Sequence, residues 1–289
     1  MTRRKPAPGP PLDKPPGHNI VFFGLSGAGK SSVINLILGR DAAETDNSAN
    51  GCTFKAQSYD CDVDGNILAL WDTCGLSEGE NGTVKDVDAV GALYRLLKSL
   101  EGGVSLLVLC TPPRINADTS RNWQFFREIV CGKKVPAVIV VTHLESEDDM
   151  DRWWLKNEAK LRKSEINPAM IQPDTRAGVA CVCATKGKLR DGKHIYQSEY
   201  DESRMKVRRL IGDSYLRKPM KVEPMKWFEE ITKEVTNRKC WRWPPWGLER
   251  SEVKIEVPGW GVRELVKLWG ISRDEATALA MILENATDD

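Results

Sequence analysis

One stretch near the N-terminus, GLSGAGKS at residues 24–31, constrains the fold more than any other feature. It matches the pattern G-x-x-x-x-G-K-[S/T], it follows the apolar run Asn19–Gly24, and helical spacing continues to Gly39. Glycines let a backbone wrap closely around an anion, and the first amides of a helix point toward it. At average glycine content, a chance match arises about once per 30,000 positions. The stretch therefore predicts a strand–loop–helix unit that binds a nucleoside triphosphate.

The residue types of this loop suit phosphate groups and a metal ion. We expect the Lys30 ammonium to reach the β- and γ-phosphates and to act in catalysis, and the Ser31 hydroxyl to ligate Mg²⁺. The other loop residues that we expect to contact the nucleotide are Gly24, Ser26, Gly27, Ala28, Gly29 and Ser32. A glycine-rich turn without a ligand is the alternative.

A second motif, Asp72-Thr73-Cys74-Gly75, follows the apolar run Ile67–Trp71. A strand-end Asp and the loop Ser form the magnesium-holding pair of P-loop NTPases, so we expect Asp72 to hold the metal through a water. The Gly75 amide can meet the γ-phosphate, which gives it a catalytic role. Thr53 precedes a hairpin and would complete the metal shell in the triphosphate state. The alternative for Thr53 is a strand-start residue without a function.

The apolar run Val138–Val141 leads into Thr142-His143-Leu144-Glu145, which we interpret as the loop that reads the base. Glu145 supplies the carboxylate that the N1 and N2 donors of guanine require, and the flat ring of His143 can pack on the purine. GTPases usually carry N-K-x-D here, and Thr142 cannot repeat every hydrogen bond of that asparagine. The alternative is a surface loop that leads into the acidic start of a helix.

A third segment contributes to base recognition in our interpretation. Ala184 and Thr185 follow the strand predicted over Gly178–Cys183. They resemble the S-A-K loop of GTPases, in which a backbone amide contacts the guanine carbonyl oxygen.

Strand and helix patterns alternate along residues 18–215, which is typical of a doubly wound α/β sheet. The runs Val104–Cys110 and Val135–Val141 are continuously apolar, as buried parallel strands are. Asp64-Gly65 is a turn signal between two short strands, so one strand should run antiparallel. We predict an α/β fold with a mostly parallel sheet, one antiparallel strand and a C-terminal helical, Trp-rich extension.

The domain prediction has three parts. Residues 1–17 are rich in proline and charge and read as a disordered arm, residues 18–215 form the main domain, and residues 216–289 form an extension. Five of the six tryptophans in this extension lie at 241–269, and we expect them in a strap packed over the main domain. A helical hairpin should follow, with Ser272 and Glu275 as a capping box.

Composition excludes several classes. The chain has 42 basic and 41 acidic residues and a formal net charge of +1, so we expect no nucleic-acid partner. Apolar runs fall far short of the roughly 18 residues of a membrane span, and the N-terminus lacks a secretory signal. The eight cysteines lack zinc-ligand spacing, so we expect free thiols and a cytoplasmic location. Residues 204–289, with their basic and aromatic side chains, are a candidate surface for a protein or a peripheral membrane. The alternative is that the basic residues form a solvated helix face and that the tryptophans belong to a packed strap.

These motifs together resemble P-loop GTPases of the septin, Toc and GIMAP branch, most closely the small stand-alone G-domain proteins found in fungi. The resemblance covers residues 18–215 and rests on the Thr53 region and on GLSGAGKSS, WDTCGL, SLLVLC, PAVIVVTHLE and YDESRMKVRRLI. It implies a G domain that binds GTP or GDP with Mg²⁺, switches between the two states, and pairs face to face with a second copy.

The resemblance also raises a question about catalysis. Leu76 directly follows D-x-x-G, where signalling GTPases place a glutamine that orients water. Leucine cannot do this, so we expect slow hydrolysis of GTP unless a partner copy or another loop supplies the missing group. Two alternatives stay open: a nucleotide-gated scaffold with negligible turnover, and an ATP-using P-loop NTPase.

Overall fold

A computed structural model of the protein describes residues 17–44, 56–73, 75–76, 87–168, 178–223, 225–238 and 248–285. Its centre is a six-stranded sheet with the strand order β2-β3-β1-β4-β5-β6. The strands are β1 (His18–Phe23), β2 (Gln57–Val63), β3 (Asn66–Asp72), β4 (Leu106–Thr111), β5 (Ala137–Val141) and β6 (Val179–Cys181).

All strand pairs of this sheet are parallel except β2 with β3. The predicted fold class is therefore confirmed, including its single antiparallel strand. The helices that connect or flank the strands are α1 (Lys30–Leu38), α2 (Val87–Ser99), α3 (Ala117–Trp123), α4 (Met150–Lys163) and α5 (Gln197–Ser214).

Apolar composition explains why β4 and β5 lie inside the sheet, each between two other strands. Every residue of these two strands is buried, since helices cover both faces of the sheet. The core divides into two clusters, one on each face. One cluster contains α1 and α5 residues such as Ile34 and Val207, and the other contains residues of α2 and the segment after α3, such as Leu93 and Phe126.

The connection between β4 and β5 contains two kinds of helix in succession. The α-helix α3 ends at Trp123, and Gln124–Val130 forms a π-helix. Phe125 and Phe126 are fully buried in this π-helix. The wider helical turn brings both neighbouring aromatic rings into the core.

The C-terminal extension contains a long β-ribbon that the predicted strap did not include. Strands β9 (Phe228–Arg238) and β10 (Leu248–Pro258) pair antiparallel along their whole length, and a short hairpin of β7 (Leu189–Arg190) and β8 (Lys193–His194) lies earlier in the chain. The Trp-Pro cluster at 241–246 lies outside the described residues.

The predicted helical hairpin follows the ribbon as α6 (Trp260–Trp269) and α7 (Arg273–Asn285). Ser272 and Glu275 form the predicted capping box, with the Glu275 amide donating to the Ser272 hydroxyl and the Ser272 amide donating to the Glu275 carboxylate. The hairpin packs on the sheet side that carries α2, where Trp269 meets Phe125 with ring centroids 4.8 Å apart.

The basic residues of α5 contact their own chain. Arg208 donates hydrogen bonds to the carbonyl oxygens of Ile37 and Asp62, and Lys206 forms ion pairs with Asp151 and Glu202. These contacts favour the solvated, internally paired helix face over a lipid-binding one.

In the described part of the chain, the cysteines at 61, 110, 131, 181 and 183 are free thiols. Among the described helices, none combines the length and the apolar character that a bilayer span requires.

Candidate nucleotide-binding site

The phosphate loop begins where β1 ends. Gly24, Gly27 and Gly29 all have positive φ, and a side chain at Gly24 would collide with the carbonyl group of Cys110 on β4. The Lys30 ammonium donates to the carbonyl oxygens of Gly24 at 3.3 Å and Leu25 at 3.1 Å. The lysine is thereby folded over the loop, and its charge lies within the concave backbone.

Asp72 ends β3 beside β1 and faces the loop. Its Oδ1 atom is buried and has no hydrogen-bond partner in the described structure. Burial raises the pKa of the Asp72 carboxyl, while a hydrogen bond from Ser31 and the nearby Lys30 charge oppose that rise. A divalent cation fits this arrangement, because an unpaired carboxylate oxygen beside a hydroxyl is a hard oxygen donor set. Thr53, the other predicted metal ligand, lies outside the described residues.

The residues after the D-x-x-G motif are clamped onto the phosphate loop. The Leu76 amide donates to the Gly24 carbonyl at 3.0 Å, and the Ser26 amide donates to the Leu76 carbonyl at 2.9 Å. Gly75 lies so close to Ser26 that a Cβ on it would come within 2.5 Å of the Ser26 Cα. The Leu76 side chain is 2% exposed and packs in the core cluster of α2. It anchors this loop and does not face the site.

A pocket lies between the phosphate loop and the two loops interpreted as base-reading. Its lining consists of Gly29, Ser32, Thr142, His143, Glu145, Ala184 and Thr185. Every one of these residues belongs to the predicted set. The loops meet because the carboxyl ends of β1, β5 and β6 lie at one edge of the sheet.

Thr142 connects the base loop to the phosphate loop. Its hydroxyl lies 3.0 Å from the carbonyl oxygen of Ala28 and 2.8 Å from Nδ1 of His143. A hydroxyl has one proton, so both contacts are hydrogen bonds when the His143 Nδ1 carries a proton and donates. His143 itself has φ of 58° and is exposed at the pocket rim.

The contacts that position Thr185 were missed by the sequence reasoning. Its carbonyl oxygen accepts from the Cys183 thiol at 3.0 Å, and its hydroxyl accepts from the Gly187 amide at 3.1 Å. Gly187 begins the segment that leads into the β7–β8 hairpin. The turn signal Asp191-Gly192 was the available indication of that hairpin.

Comparison with known proteins adds to this geometry. Residues 19–143 match the family model described as 50S ribosome-binding GTPase. The matched part contains the phosphate loop, Asp72 and strand β5. The chain therefore contains a domain with the α/β fold of a G domain, and part of that domain matches a GTPase family model.

The G domain is similar to proteins called tRNA modification GTPase MnmE. The one from Rhizobium johnstonii is 38% identical over 106 residues, which are 37% of this chain and 23% of the relative. The one from Pasteurella multocida is 26% identical over 164 residues, 57% of this chain and 33% of the relative. The chain thus spans about a quarter to a third of the length of these relatives, and the similarity concerns the G domain.

Solved structures of similar fold include chloroplast translocon components. A structure concerning Toc33 and Toc159 aligns with a TM-score of 0.50 at 16% identity, over 68% of this chain and 83% of that chain. Toc33 from Arabidopsis thaliana, solved with GDP and Mg²⁺, has a TM-score of 0.49 at 16% identity, over 70% of this chain and 86% of that chain. At this identity the alignment with a TM-score of 0.50 shows the G-domain fold alone. The narrower septin, Toc and GIMAP branch and the fungal resemblance remain predictions.

Proposed function

We propose that this chain binds guanine nucleotides with Mg²⁺, hydrolyses GTP slowly, and switches conformation between the GTP and GDP states. The observation that carries the proposal is the pocket in which Gly29 and Ser32 of the phosphate loop meet Thr142, His143 and Glu145. One pocket that is lined by both a phosphate-binding loop and a carboxylate suits a guanine nucleotide.

In this proposal the phosphate end neutralises charge and positions the metal. The amides of residues 26–32 and the Lys30 ammonium bind the phosphates, and they stabilise the charge that develops during phosphoryl transfer. Ser31 and Asp72 hold Mg²⁺, with Thr53 joining them in the triphosphate state. Gly75 offers its amide to the γ-phosphate.

The other end of the pocket reads the base. Glu145 accepts hydrogen bonds from N1 and N2 of guanine, which adenine cannot donate in the same pattern. His143 packs its ring on the purine, and the backbone at Ala184 and Thr185 meets the guanine carbonyl oxygen. Support for this assignment comes from the pocket lining and from the hydrogen bonds that hold Thr142 and Thr185 in place.

Slow hydrolysis follows from the position of Leu76. Its buried side chain leaves no water-orienting group at this position. We therefore propose that a second copy supplies the catalytic group that this chain lacks. For Toc33 and Toc159, dimerization is important for the GTPase activity. In this chain, Arg114 is exposed just beyond β4 at the same sheet edge as the phosphate loop. We assign it the role of a cation that acts on the partner's nucleotide.

The first experiment is calorimetry with GTP, GDP and ATP in Mg²⁺, repeated with Glu145→Ala. We expect GTP and GDP to bind, ATP to bind poorly, and the variant to lose this selectivity. Glu147→Ala is the matched control, because Glu147 is in the same loop but does not line the pocket. Equal binding of ATP would refute the base assignment. Lys30→Ala should abolish binding of all three nucleotides.

The second experiment measures GTP turnover per protein molecule over a range of protein concentrations. Turnover that rises with concentration, and does not rise in Arg114→Ala, supports activation by pairing. Turnover that stays negligible at every concentration supports the nucleotide-gated scaffold instead.

A further inference from the structure

A buried hydroxyl on α5 lies behind the segment that follows β6. Ser203, on the second turn of this helix, is 0% exposed, and its Oγ accepts a hydrogen bond from the Cys183 amide at 2.9 Å. The same Oγ donates to the sulfur of Met150, the first residue of α4, at 3.9 Å. Ser203 does not line the nucleotide pocket. Any influence that it has on the nucleotide therefore acts through the residues that it holds.

The Cys183 amide needs this partner because of where β6 lies. In the described sheet, β6 is an edge strand that pairs with β5 alone, and the Val182 amide donates to the Val141 carbonyl of β5. Successive amides of a strand point to opposite sides, so the Cys183 amide points away from β5. A buried amide without an acceptor is destabilising. The Ser203 hydroxyl supplies the acceptor that the sheet does not offer.

Two further hydrogen bonds fix the segment that begins at Cys183. The thiol of Cys183, which is 0% exposed, donates to the Thr185 carbonyl at 3.0 Å, and the Gly187 amide donates to the Thr185 hydroxyl at 3.1 Å. Ala184 and Thr185 line the pocket between these anchors. The position of their backbone therefore depends on where Cys183 is held, and Ser203 holds Cys183.

We propose that Ser203 is a positioning residue for base selection, which holds the backbone of Ala184 and Thr185 where it meets the carbonyl oxygen at C6 of guanine. The proposal rests on the proposed function, which assigns that contact to the same two residues. Without the Ser203 acceptor, the segment after β6 is no longer fixed before the nucleotide binds. The contact with the C6 oxygen is then offset by the entropy of ordering the segment, so affinity falls for purines that carry this oxygen.

The contact with Met150 indicates that the effect is confined to one side of the base. Met150 follows the loop that carries Glu145, so Ser203 lies behind both base-reading loops. A thioether is a weak acceptor, however, and Asp149 independently caps α4 through two backbone amides. The Glu145 loop therefore keeps its position without the Ser203 hydroxyl, and recognition of the 2-amino group of guanine is retained.

The test compares three diphosphates with the full-length protein: GDP, IDP and the diphosphate of 2-aminopurine riboside. Inosine keeps the C6 carbonyl and lacks the 2-amino group, whereas 2-aminopurine keeps the 2-amino group and lacks the C6 carbonyl. Calorimetry in Mg²⁺ measures each dissociation constant for the wild type and for Ser203→Ala. We expect the variant to bind GDP and IDP about fivefold more weakly and the 2-aminopurine nucleotide with unchanged affinity.

Two further variants complete the series. Ser203→Cys keeps the approximate shape with a weaker acceptor, so it should show the same pattern with a smaller loss, and it replaces Ser203→Ala if that variant does not fold. Ser214→Ala removes another buried serine, at the last residue of α5, and should bind all three nucleotides like the wild type. Urea unfolding of each variant measures stability separately from nucleotide selection.

The outcomes separate this proposal from the proposed function. A wild-type protein that binds GDP and the 2-aminopurine nucleotide equally well refutes the base assignment, and the role of Ser203 with it. Wild-type discrimination combined with an unchanged GDP affinity in Ser203→Ala and Ser203→Cys refutes the positioning role alone. An equal loss of affinity for all three nucleotides also refutes it, because a general loosening of the fold does not depend on the C6 oxygen.

Discussion

The hydroxyl of Thr142 donates a hydrogen bond to the carbonyl oxygen of Ala28, 3.0 Å away. Thr142 is 1% exposed, and its methyl group lies against Gly29, where an added Cβ would come within 3.2 Å. The base loop and the phosphate loop are thus held together by one buried side chain. In the proposed function, the relative position of the two ends of the nucleotide depends on this contact.

We expect Thr142→Val to weaken GTP and GDP binding to the same extent. Valine keeps the shape but removes the donor of a hydrogen bond worth about 1 kcal/mol. The base loop is then no longer held on the phosphate loop before the nucleotide binds, so ordering it on binding costs up to about that free energy, or roughly a fivefold loss of affinity. Calorimetry with both nucleotides measures this loss. Thr142→Ser keeps the hydroxyl and should bind nearly as well as the wild type. Unchanged affinity in Thr142→Val would show that the hydrogen bond does not position the base loop.

Leu76→Gln should not turn the protein into a fast GTPase. The side chain at this position is buried in the core cluster that also contains α2 residues, so glutamine would place an amide in the core at a cost of about 1–3 kcal/mol. We expect unchanged single-turnover hydrolysis and a lower midpoint of urea unfolding.

The matched control is Leu76→Met, which conserves volume and polarity and should cost less than about 1.5 kcal/mol. If Leu76→Gln accelerates hydrolysis and leaves stability intact, then the side chain reaches the site and the anchoring role is wrong.

Strong local patterns made the central sheet and the pocket predictable. The apolar runs of β4 and β5 and the glycines of the phosphate loop each determine their conformation almost alone. Once these elements alternate along the chain, the carboxyl ends of the strands must meet at one edge. Gly29, Thr142, Glu145 and Thr185 therefore come together, as the sequence suggested.

The features that the sequence did not reveal depend on contacts between distant segments. The clamp between Leu76 and Gly24 consists of backbone hydrogen bonds, which leave no mark in residue types. The β9–β10 ribbon was missed because its strands mix charged and β-branched residues. These segments are strands because they pair with each other, from the end where Phe228 lies opposite Pro258 to the end where Arg238 lies opposite Leu248. The nearby tryptophans and prolines favoured a strap instead.

Magnesium binding should weaken as the pH falls. The carboxyl of Asp72 has a raised pKa because it is buried, and the metal requires its deprotonated form. Lowering the pH from 7 toward the ordinary range of an aspartate therefore increases the protonated fraction and reduces Mg²⁺ affinity. Titrating Mg²⁺ into the GDP complex at several pH values measures this dependence.

Asp72→Asn is the control for other titrating groups, such as the nucleotide phosphates. It should bind Mg²⁺ more weakly at pH 7 and lose the part of the pH dependence that comes from the carboxyl. A variant with the wild-type pH profile would mean that Asp72 does not hold the metal.

The same glycine-to-alanine change should have opposite effects on stability in two helices. In α6, a Cβ on Gly261 would come within 2.6 Å of the Trp227 ring, which is buried and meets Tyr94 of α2 edge-on at 5.8 Å. Gly261→Ala therefore forces this aromatic contact apart, and such overpacking costs about 1–3 kcal/mol.

In α2, by contrast, a Cβ on Gly91 would have nothing within 4 Å. Gly91→Ala should stabilise the protein by about 0.5–1 kcal/mol, since alanine loses less backbone entropy in a helix. Urea unfolding of both variants measures the two signs. If Gly261→Ala is also stabilising, then the C-terminal helices do not pack on α2 through Trp227, because a tightly wedged ring leaves no room for the added methyl group.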